Sequence, residues 1–150
     1  MDIGIKKELL SYCLRQIEGR LEETAFAIQQ AQEAIESETK SSAGDKYETS
    51  REMIQQDLNR YHTQLLQSKK DWVVLQKMET EIKEKVEIGA IVVTDKVTYF
   101  MAVSLGQQRV EGMNFMVISP SSPIGKLLLG REVGDQIVFN GTKQSITAVF

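Results

Sequence analysis

The feature that most constrains this chain is a regular spacing of apolar side chains over its first 85 residues. In two long runs these side chains recur alternately three and four residues apart, the period with which α-helices pack in a coiled coil. The apolar stripe of the first run, called its seam below, is Leu10, Leu14, Ile17, Leu21, Thr24, Ile28, Ala31 and Ile35. The second seam is Ile54, Leu58, Tyr61, Leu65, Ser68, Trp72, Leu75, Glu79 and Ile82. Neither run contains proline, so each is predicted to form one long helix.

The segment that joins the two runs is short and polar. Residues 37–46 are mostly small or charged and include Gly44. Such a link between two striped helices favours an antiparallel hairpin, in which each helix covers the apolar stripe of the other. We therefore predict an antiparallel coiled-coil hairpin over residues 1–85, with its tip at about residues 37–47. A single helix that continues through the link and dimerises is the alternative, which Gly44 and the serines disfavour.

The hydrophobic period changes to about two after Lys85, which indicates β-strands. Ser122 and Pro123 are typical of the N-cap and first residue of a helix, and Gly130 of its end. The predicted strands are residues 86–94, 97–103, 115–119, 136–139 and 145–150. Residues 1–85 carry 29 of the 39 charged side chains, which places a domain boundary near Lys85. The sequence thus predicts an α+β protein, with a helical hairpin followed at 86–150 by a small antiparallel β domain with one short helix.

Composition argues against several classes of protein. The net charge of −3 disfavours a protein that coats nucleic acid by electrostatic attraction. No apolar run approaches the roughly 20 residues of a membrane-spanning helix, so no membrane association is expected. The N-terminus lacks the apolar core of a secretory signal, and a cytoplasmic location is therefore expected. The single cysteine, Cys13, and the single histidine, His62, have no second side chain of their kind with which to form a disulfide or a metal pair.

Three groups of residues in the second domain resemble the C-terminal signature of the GreA/GreB transcript-cleavage factors. They are Ser122-Pro123-Ile124-Gly125-Lys126, then Leu128-Leu129-Gly130-Arg131, then Val133-Gly134-Asp135 with Ile137-Val138. The family's order, an antiparallel coiled coil followed by an FKBP-like β domain, is also the order predicted here from the residues. The resemblance therefore covers nearly the whole chain, and it implies that the second domain is FKBP-like.

The resemblance implies a transcription elongation regulator that binds RNA polymerase through its secondary channel. In cleavage-active members such a protein stimulates the polymerase's own hydrolysis of backtracked transcripts, so it is not itself an enzyme, and it meets nucleic acid only through the polymerase. Ser122, Pro123, Lys126 and Arg131 are the polymerase-binding candidates that the motifs imply. A monomer is expected, because an intramolecular hairpin needs no partner helix.

At the hairpin tip the resemblance implies two carboxylates, three residues apart after a glycine, that help to position a second Mg²⁺ ion in the complex with polymerase. Asp45 and Glu48, which follow Gly44, fit this pattern in one alignment. Acids at these positions have a simpler explanation as well, because they stabilise the positive end of a helix by ~0.3–1 kcal/mol.

A second alignment of the tip is equally open. It matches Tyr47, Arg51 and Glu52 to the family without a gap, and it puts Lys40 and Ala43 where the acids belong, so that cleavage would be lost. A non-cleaving polymerase inhibitor is then the expected function. The other alternative is a coiled-coil interaction or scaffold protein that keeps the Gre architecture. A prolyl isomerase is suggested only by the FKBP-like fold, and fold alone does not carry function.

Overall fold

The structure is a computed structural model that describes the backbone of residues 1–39 and 44–150 and the side chains of residues 1–37 and 48–150. Two long helices are followed by a sheet that carries one short helix, so the predicted α+β architecture is confirmed. The chain divides into two compact units, one formed by Arg15–Trp72 and the other by Met1–Leu14 with Val73–Phe150. No helix in the described part of the chain is long and apolar enough to cross a membrane.

Both predicted helices are present. Helix α1 spans Ile3–Thr39 and helix α2 spans Gly44–Lys77. Asp2 caps the start of α1, because its Oδ1 accepts a hydrogen bond from the Ile5 amide at 3.1 Å. Helix α2 ends two residues before Glu79, the position where a carboxylate interrupts the seam, so the last two seam residues, Glu79 and Ile82, lie beyond the helix.

Within the unit Arg15–Trp72 the two helices form the predicted antiparallel hairpin. Residues 20–24 of α1 and residues 64–71 of α2 line a common groove, so these two segments lie beside each other. The seam residues Ile17, Ile28 and Leu58 are buried. Burying an apolar side chain of this size contributes about 1.5–3 kcal/mol, so each helix depends on the other for its stability.

The second unit contains six strands within the described residues. They are β1 Ile91–Thr94, β2 Thr98–Met101, β3 Gly106–Val110, β4 Met113–Ile118, β5 Gln136–Phe139 and β6 Thr142–Val149. Their order in the sheet is β3-β4-β2-β1-β6-β5. All neighbouring pairs are antiparallel except β2 and β4, which are parallel, so the predicted antiparallel sheet contains one parallel pair. After β2 the chain passes to the edge of the sheet as β3 and returns as β4 between β3 and β2.

Strand β3 was not predicted from the sequence. It is polar and mostly exposed, with Val110 its single buried residue, so it shows no alternation of apolar side chains. A turn with left-handed backbone at Glu111 (φ 52°) and Gly112 (φ 74°) joins it to β4. Such a two-residue turn suits the twist of a hairpin, but Glu-Gly lacks the asparagine that marks the turn between β5 and β6, Asn140-Gly141, in the sequence.

One face of the sheet is covered by the short helix α3, Pro123–Leu128. The core between them is formed by Val86, Val92, Tyr99, Met101, Ile118, Ile124, Leu128, Ile137 and Ile146. Strands β1 and β2 are buried at nearly every residue, which means that their other face is covered as well. In the same unit Ile5, Leu9 and Cys13 of α1 are buried. The Tyr12 hydroxyl of α1 donates to Gln108 of β3 at 2.6 Å, which fixes the start of α1 against the sheet.

Candidate functional site

The first candidate site is the start of α2. Glu48 belongs to the first turns of this helix, which begins at Gly44, and its side chain is exposed. The side chain of Asp45, the other candidate tip acid, lies outside the described residues. The same holds for Lys40 and Ala43, on which the alternative alignment depends. The prediction that Asp45 and Glu48 position Mg²⁺ therefore stays a prediction.

A polar groove runs along this part of α2. Its described lining is Glu48, Arg51, Glu52 and Gln55, and its volume is about 380 Å³. The four residues share one face of the helix, because positions three, four and seven residues apart are neighbours on a helix surface. Two carboxylates flank one guanidinium, so the groove is suited to a polar or positively charged partner group. Sequence reasoning used Arg51 and Glu52 only for alignment and missed this face, although helical spacing from Glu48 would have found it.

The carboxylates of this groove suit Mg²⁺ only in a site to which a partner also contributes ligands. Among the described residues no three His, Cys, Asp or Glu side chains come together as a metal site. Mg²⁺ prefers oxygen ligands and keeps several of its waters, so one or two carboxylates beside phosphate oxygens suffice to bind it. The described part of the chain offers two such carboxylates one turn apart, those of Glu48 and Glu52.

The second candidate site surrounds α3. Ser122 is the N-cap of this helix, with extended backbone (φ −68°, ψ 158°), and its Oγ accepts a hydrogen bond from the Gly125 amide at 3.1 Å. The same hydroxyl donates to the Ser119 carbonyl at 2.7 Å. Pro123 follows at the first helical position, where its missing N–H removes no helical hydrogen bond. The Ser122 hydroxyl is thus engaged within the fold, while Pro123 is exposed.

The glycines of the motifs also have structural roles. A Cβ at Gly125 would clash with the backbone carbonyl oxygen of Ser119, so no larger residue fits without displacing the chain. Gly130 ends α3 in the left-handed region (φ 82°), and its amide donates to the Val86 carbonyl at 2.8 Å. The motif residues therefore join α3 to the segment that precedes β1.

The last motif residues form the turn that leads into β5. The Gly134 amide donates to the Ile146 carbonyl at 2.9 Å, which attaches the turn to β6. Asp135 closes the turn, because its Oδ2 accepts a hydrogen bond from the Glu132 amide at 2.9 Å. The residues that carry the family resemblance are consequently the ones that this domain needs in order to fold.

Two cations of the motifs remain exposed. Lys126 lies in the last turn of α3, and Arg131 follows the helix, with its Nε donating to the Leu127 carbonyl at 3.2 Å. Leu129 and Val133, in the same segment, are 48% and 57% exposed. We call Lys126, Leu129, Arg131 and Val133 the α3 surface. The sequence indicated its cations but not its apolar members, because an apolar residue beside a helix end is usually part of the core.

Two buried titratable groups lie in the first half of α1. Lys6 is 1% exposed, and its ammonium donates to the Glu81 carbonyl. Burial and the nearby positive charge of Lys83 lower the pKa of Lys6 to about 8, although Glu87 acts in the opposite direction. Burial raises the pKa of the Cys13 thiol to about 12, so this cysteine stays protonated and is not a nucleophile.

Comparison with known proteins gives structural matches only. No protein-family model matches the chain, and no curated protein matches its sequence. Similar solved structures include the GreA factor homolog 1 (Gfh1) protein of Thermus thermophilus, at 19% identity and TM-score 0.39, covering 91% of this chain and 94% of that one. A second structure of the transcription factor Gfh1 is 18% identical over 91% and 92%, at TM-score 0.38. Gfh1 of Thermus aquaticus is 20% identical over 91% and 93%, at TM-score 0.36.

All three structures are of Gfh1. The chain is similar to them over most of its length, at low identity and low TM-score. A function is therefore inferred from the residues and surfaces described above.

Proposed function

We propose that this chain is a Gre-like transcription factor that binds RNA polymerase through the polymerase's secondary channel. The observation that carries the proposal is the structural use of the motifs that resemble the Gre signature. Ser122 caps α3, Gly125 permits a close backbone approach, and Gly130 ends the helix, all in a sheet domain that follows a helical hairpin. Residues with such specific roles are unlike the scattered matches that composition alone would produce.

The α3 surface is the proposed docking surface of the sheet domain. Its two cations alternate with two exposed apolar side chains, Leu129 and Val133. Arginine is enriched among the interface residues that contribute most to affinity, and an exposed apolar side chain contributes when binding removes it from water. Exposed ion pairs are worth only about 0–1 kcal/mol each, so the two cations together contribute about tenfold in affinity as well as orientation.

The hairpin would present the start of α2 to the polymerase active site. The Glu48 carboxylate projects from a helix whose packed seam holds its backbone in place. Mg²⁺ bound in the complex supplies positive charge that stabilises the attacking and leaving oxygens of phosphodiester cleavage. The role proposed for Glu48, together with Asp45, is to hold carboxylate oxygens at fixed positions beside the polymerase's own chemistry.

Binding is tested with core RNA polymerase and the full chain. We expect the wild-type chain to bind, and the double variant Lys126→Ala/Arg131→Ala to bind about tenfold more weakly, because it loses two charges at the interface. Lys96→Ala/Lys143→Ala removes two exposed cations of the same domain and should bind like wild type. A wild-type chain that does not bind polymerase contradicts the proposal and favours the scaffold alternative.

Cleavage is tested separately, on stalled complexes that contain a backtracked transcript. If Asp45 and Glu48 position the metal, wild type stimulates cleavage, and Asp45→Ala and Glu48→Ala each reduce it at least about tenfold while binding is retained. Glu22→Ala removes an exposed acid elsewhere on the hairpin and should leave cleavage unchanged. A wild-type chain that binds without stimulating cleavage supports the second alignment and a polymerase inhibitor. Loss of binding in either tip variant would instead assign the tip a docking role.

A further inference from the structure

The hairpin contains a second polar groove, within the unit Arg15–Trp72, where the two helices should pack most closely. Its volume is about 380 Å³, and its lining comes from both helices: Arg20, Glu23, Thr24, Gln64, Gln67, Ser68 and Asp71. Two of these residues, Thr24 and Ser68, occupy seam positions, which in a coiled coil usually carry large apolar side chains. The groove therefore lies where the seam lacks apolar volume.

The seam is apolar on both sides of this groove. Ile17 is buried before it along α1, and Ile28 is buried after it. On α2, Leu58 is buried on one side of the groove, and Trp72 is half-buried on the other. The apolar packing is consequently interrupted in the middle of the hairpin and resumes beyond the interruption.

A second feature weakens the same part of α1. Gly19 lies one residue before the groove, and a glycine within a helix favours the unfolded backbone about fivefold relative to alanine. Apart from its own helix backbone and its two chain neighbours, no atom of the described residues lies within 4 Å of the position that a Cβ at Gly19 would occupy. Packing does not require a glycine here, so helix stability is low at Gly19 without a steric reason.

Two polar side chains of the groove form a hydrogen bond with each other. Gln67 Nε2 donates to Asp71 Oδ1 at 3.0 Å, and both residues belong to α2. Among the described residues no buried side-chain nitrogen or oxygen lacks a hydrogen-bond partner. The groove is thus better explained as a gap in the packing than as a binding site.

We infer that Gly19, Thr24 and Ser68 form a point of low local stability, at which the helical hydrogen bonds of the adjoining turns open and close again while the flanking apolar layers stay packed. Local openings of this kind have lower free energies than global unfolding where few apolar contacts are buried. This local opening is a property of the free chain and does not depend on the proposed function. It would allow the hairpin to change its curvature at this point.

Hydrogen exchange of the complete chain tests the inference directly. Backbone amides of residues 20–24 and 64–71 should exchange at least about tenfold faster than those around Ile17 and Ile28, because opening at the groove leaves the flanking layers closed. Equal protection along the hairpin would overturn the inference.

Substitutions in the seam provide the second test. Thr24→Leu fills the groove with apolar volume and should slow exchange there at least about tenfold, whereas Thr24→Val, which adds no length, should have a smaller effect. Thr63→Leu makes the same change on the exposed face of α2 and controls for helix propensity. Should Thr24→Leu slow exchange no more than Thr63→Leu does, the groove has no role in local opening. Gly19→Ala is the independent variant, with an expected slowing of about fivefold.

Discussion

Gly125, which lies against the Ser119 carbonyl, shows how a single residue of the sequence can determine the geometry around α3. The Ser119 carbonyl accepts hydrogen bonds from the Ser122 hydroxyl at 2.7 Å and from the Ser122 amide at 3.2 Å. The backbone turns tightly around this oxygen, and only a residue without a Cβ fits at position 125. A motif residue that resembles a family signature is here explained by a steric requirement.

At the residue scale, Gly125→Ala should lower the free energy of unfolding by about 3 kcal/mol or more. The added Cβ meets backbone, which cannot move aside as the end of a flexible side chain can. Chemical denaturation measures the effect. Gly19→Ala is the matched control, because its Cβ meets no described atom within 4 Å outside its own helix backbone and its two chain neighbours, and it should raise stability by up to about 1 kcal/mol. Equal stability of Gly125→Ala and wild type would show that the close approach at Ser119 is not required.

At the scale of secondary-structure elements, the sequence predicted those elements whose position depends on neighbouring residues and local periodicity. The two seams predict α1 and α2, and Ser122-Pro123 predicts the start of α3, because caps and helical faces are encoded by neighbouring residues. Strand β3 and the parallel pair β2–β4 were missed. An exposed edge strand carries no apolar alternation, and strand order depends on contacts between distant residues that periodicity does not record.

The cap of α3 gives a prediction at this scale. Ser122→Ala removes the acceptor for the Gly125 amide and the donor to Ser119, and it should lower stability by about 0.5–2 kcal/mol in thermal or chemical denaturation. Ser121→Ala, at an exposed neighbouring serine, should change stability little. Under conditions in which Ser122→Ala is fully folded, its affinity for polymerase reports any direct contact. An unchanged affinity would assign Ser122 a structural role alone.

At the scale of the whole molecule, α1 and α2 each contribute residues to both compact units. The start of α1 is tied to the sheet through Tyr12 and Gln108, and no local pattern in the sequence indicates that contact. The candidate sites, like the fold, were predicted only in part from the sequence. Exposed cations at Lys126 and Arg131 follow from a recognisable motif, but the exposure of the apolar side chains of Leu129 and Val133 appears only when the turn around Gly130 is folded.

The stability of the whole molecule should depend on the protonation of Lys6. Its pKa is lowered to about 8 by burial and by Lys83, from an ordinary value of about 10.4 in an unfolded chain. Between these two values the unfolded chain binds more protons than the folded one, so the free energy of unfolding gains a contribution from Lys6 as the pH rises. The gain is roughly 3 kcal/mol in total, absent below about pH 8 and complete above about pH 10.5.

Denaturant titrations of wild type and Lys6→Met between pH 7 and pH 10 measure this contribution. Burial raises the pKa values of Cys13 and Tyr99, which lowers stability at high pH, but it does so equally in both proteins and cancels in their difference. Wild type should therefore gain stability relative to Lys6→Met as the pH rises. Lys7→Met, at the exposed neighbouring lysine, should keep the wild-type dependence on pH. If the difference between wild type and Lys6→Met is the same at all pH values, Lys6 remains fully charged in the folded protein, and its ammonium is stabilised by the Glu81 carbonyl and the Glu87 carboxylate despite its burial.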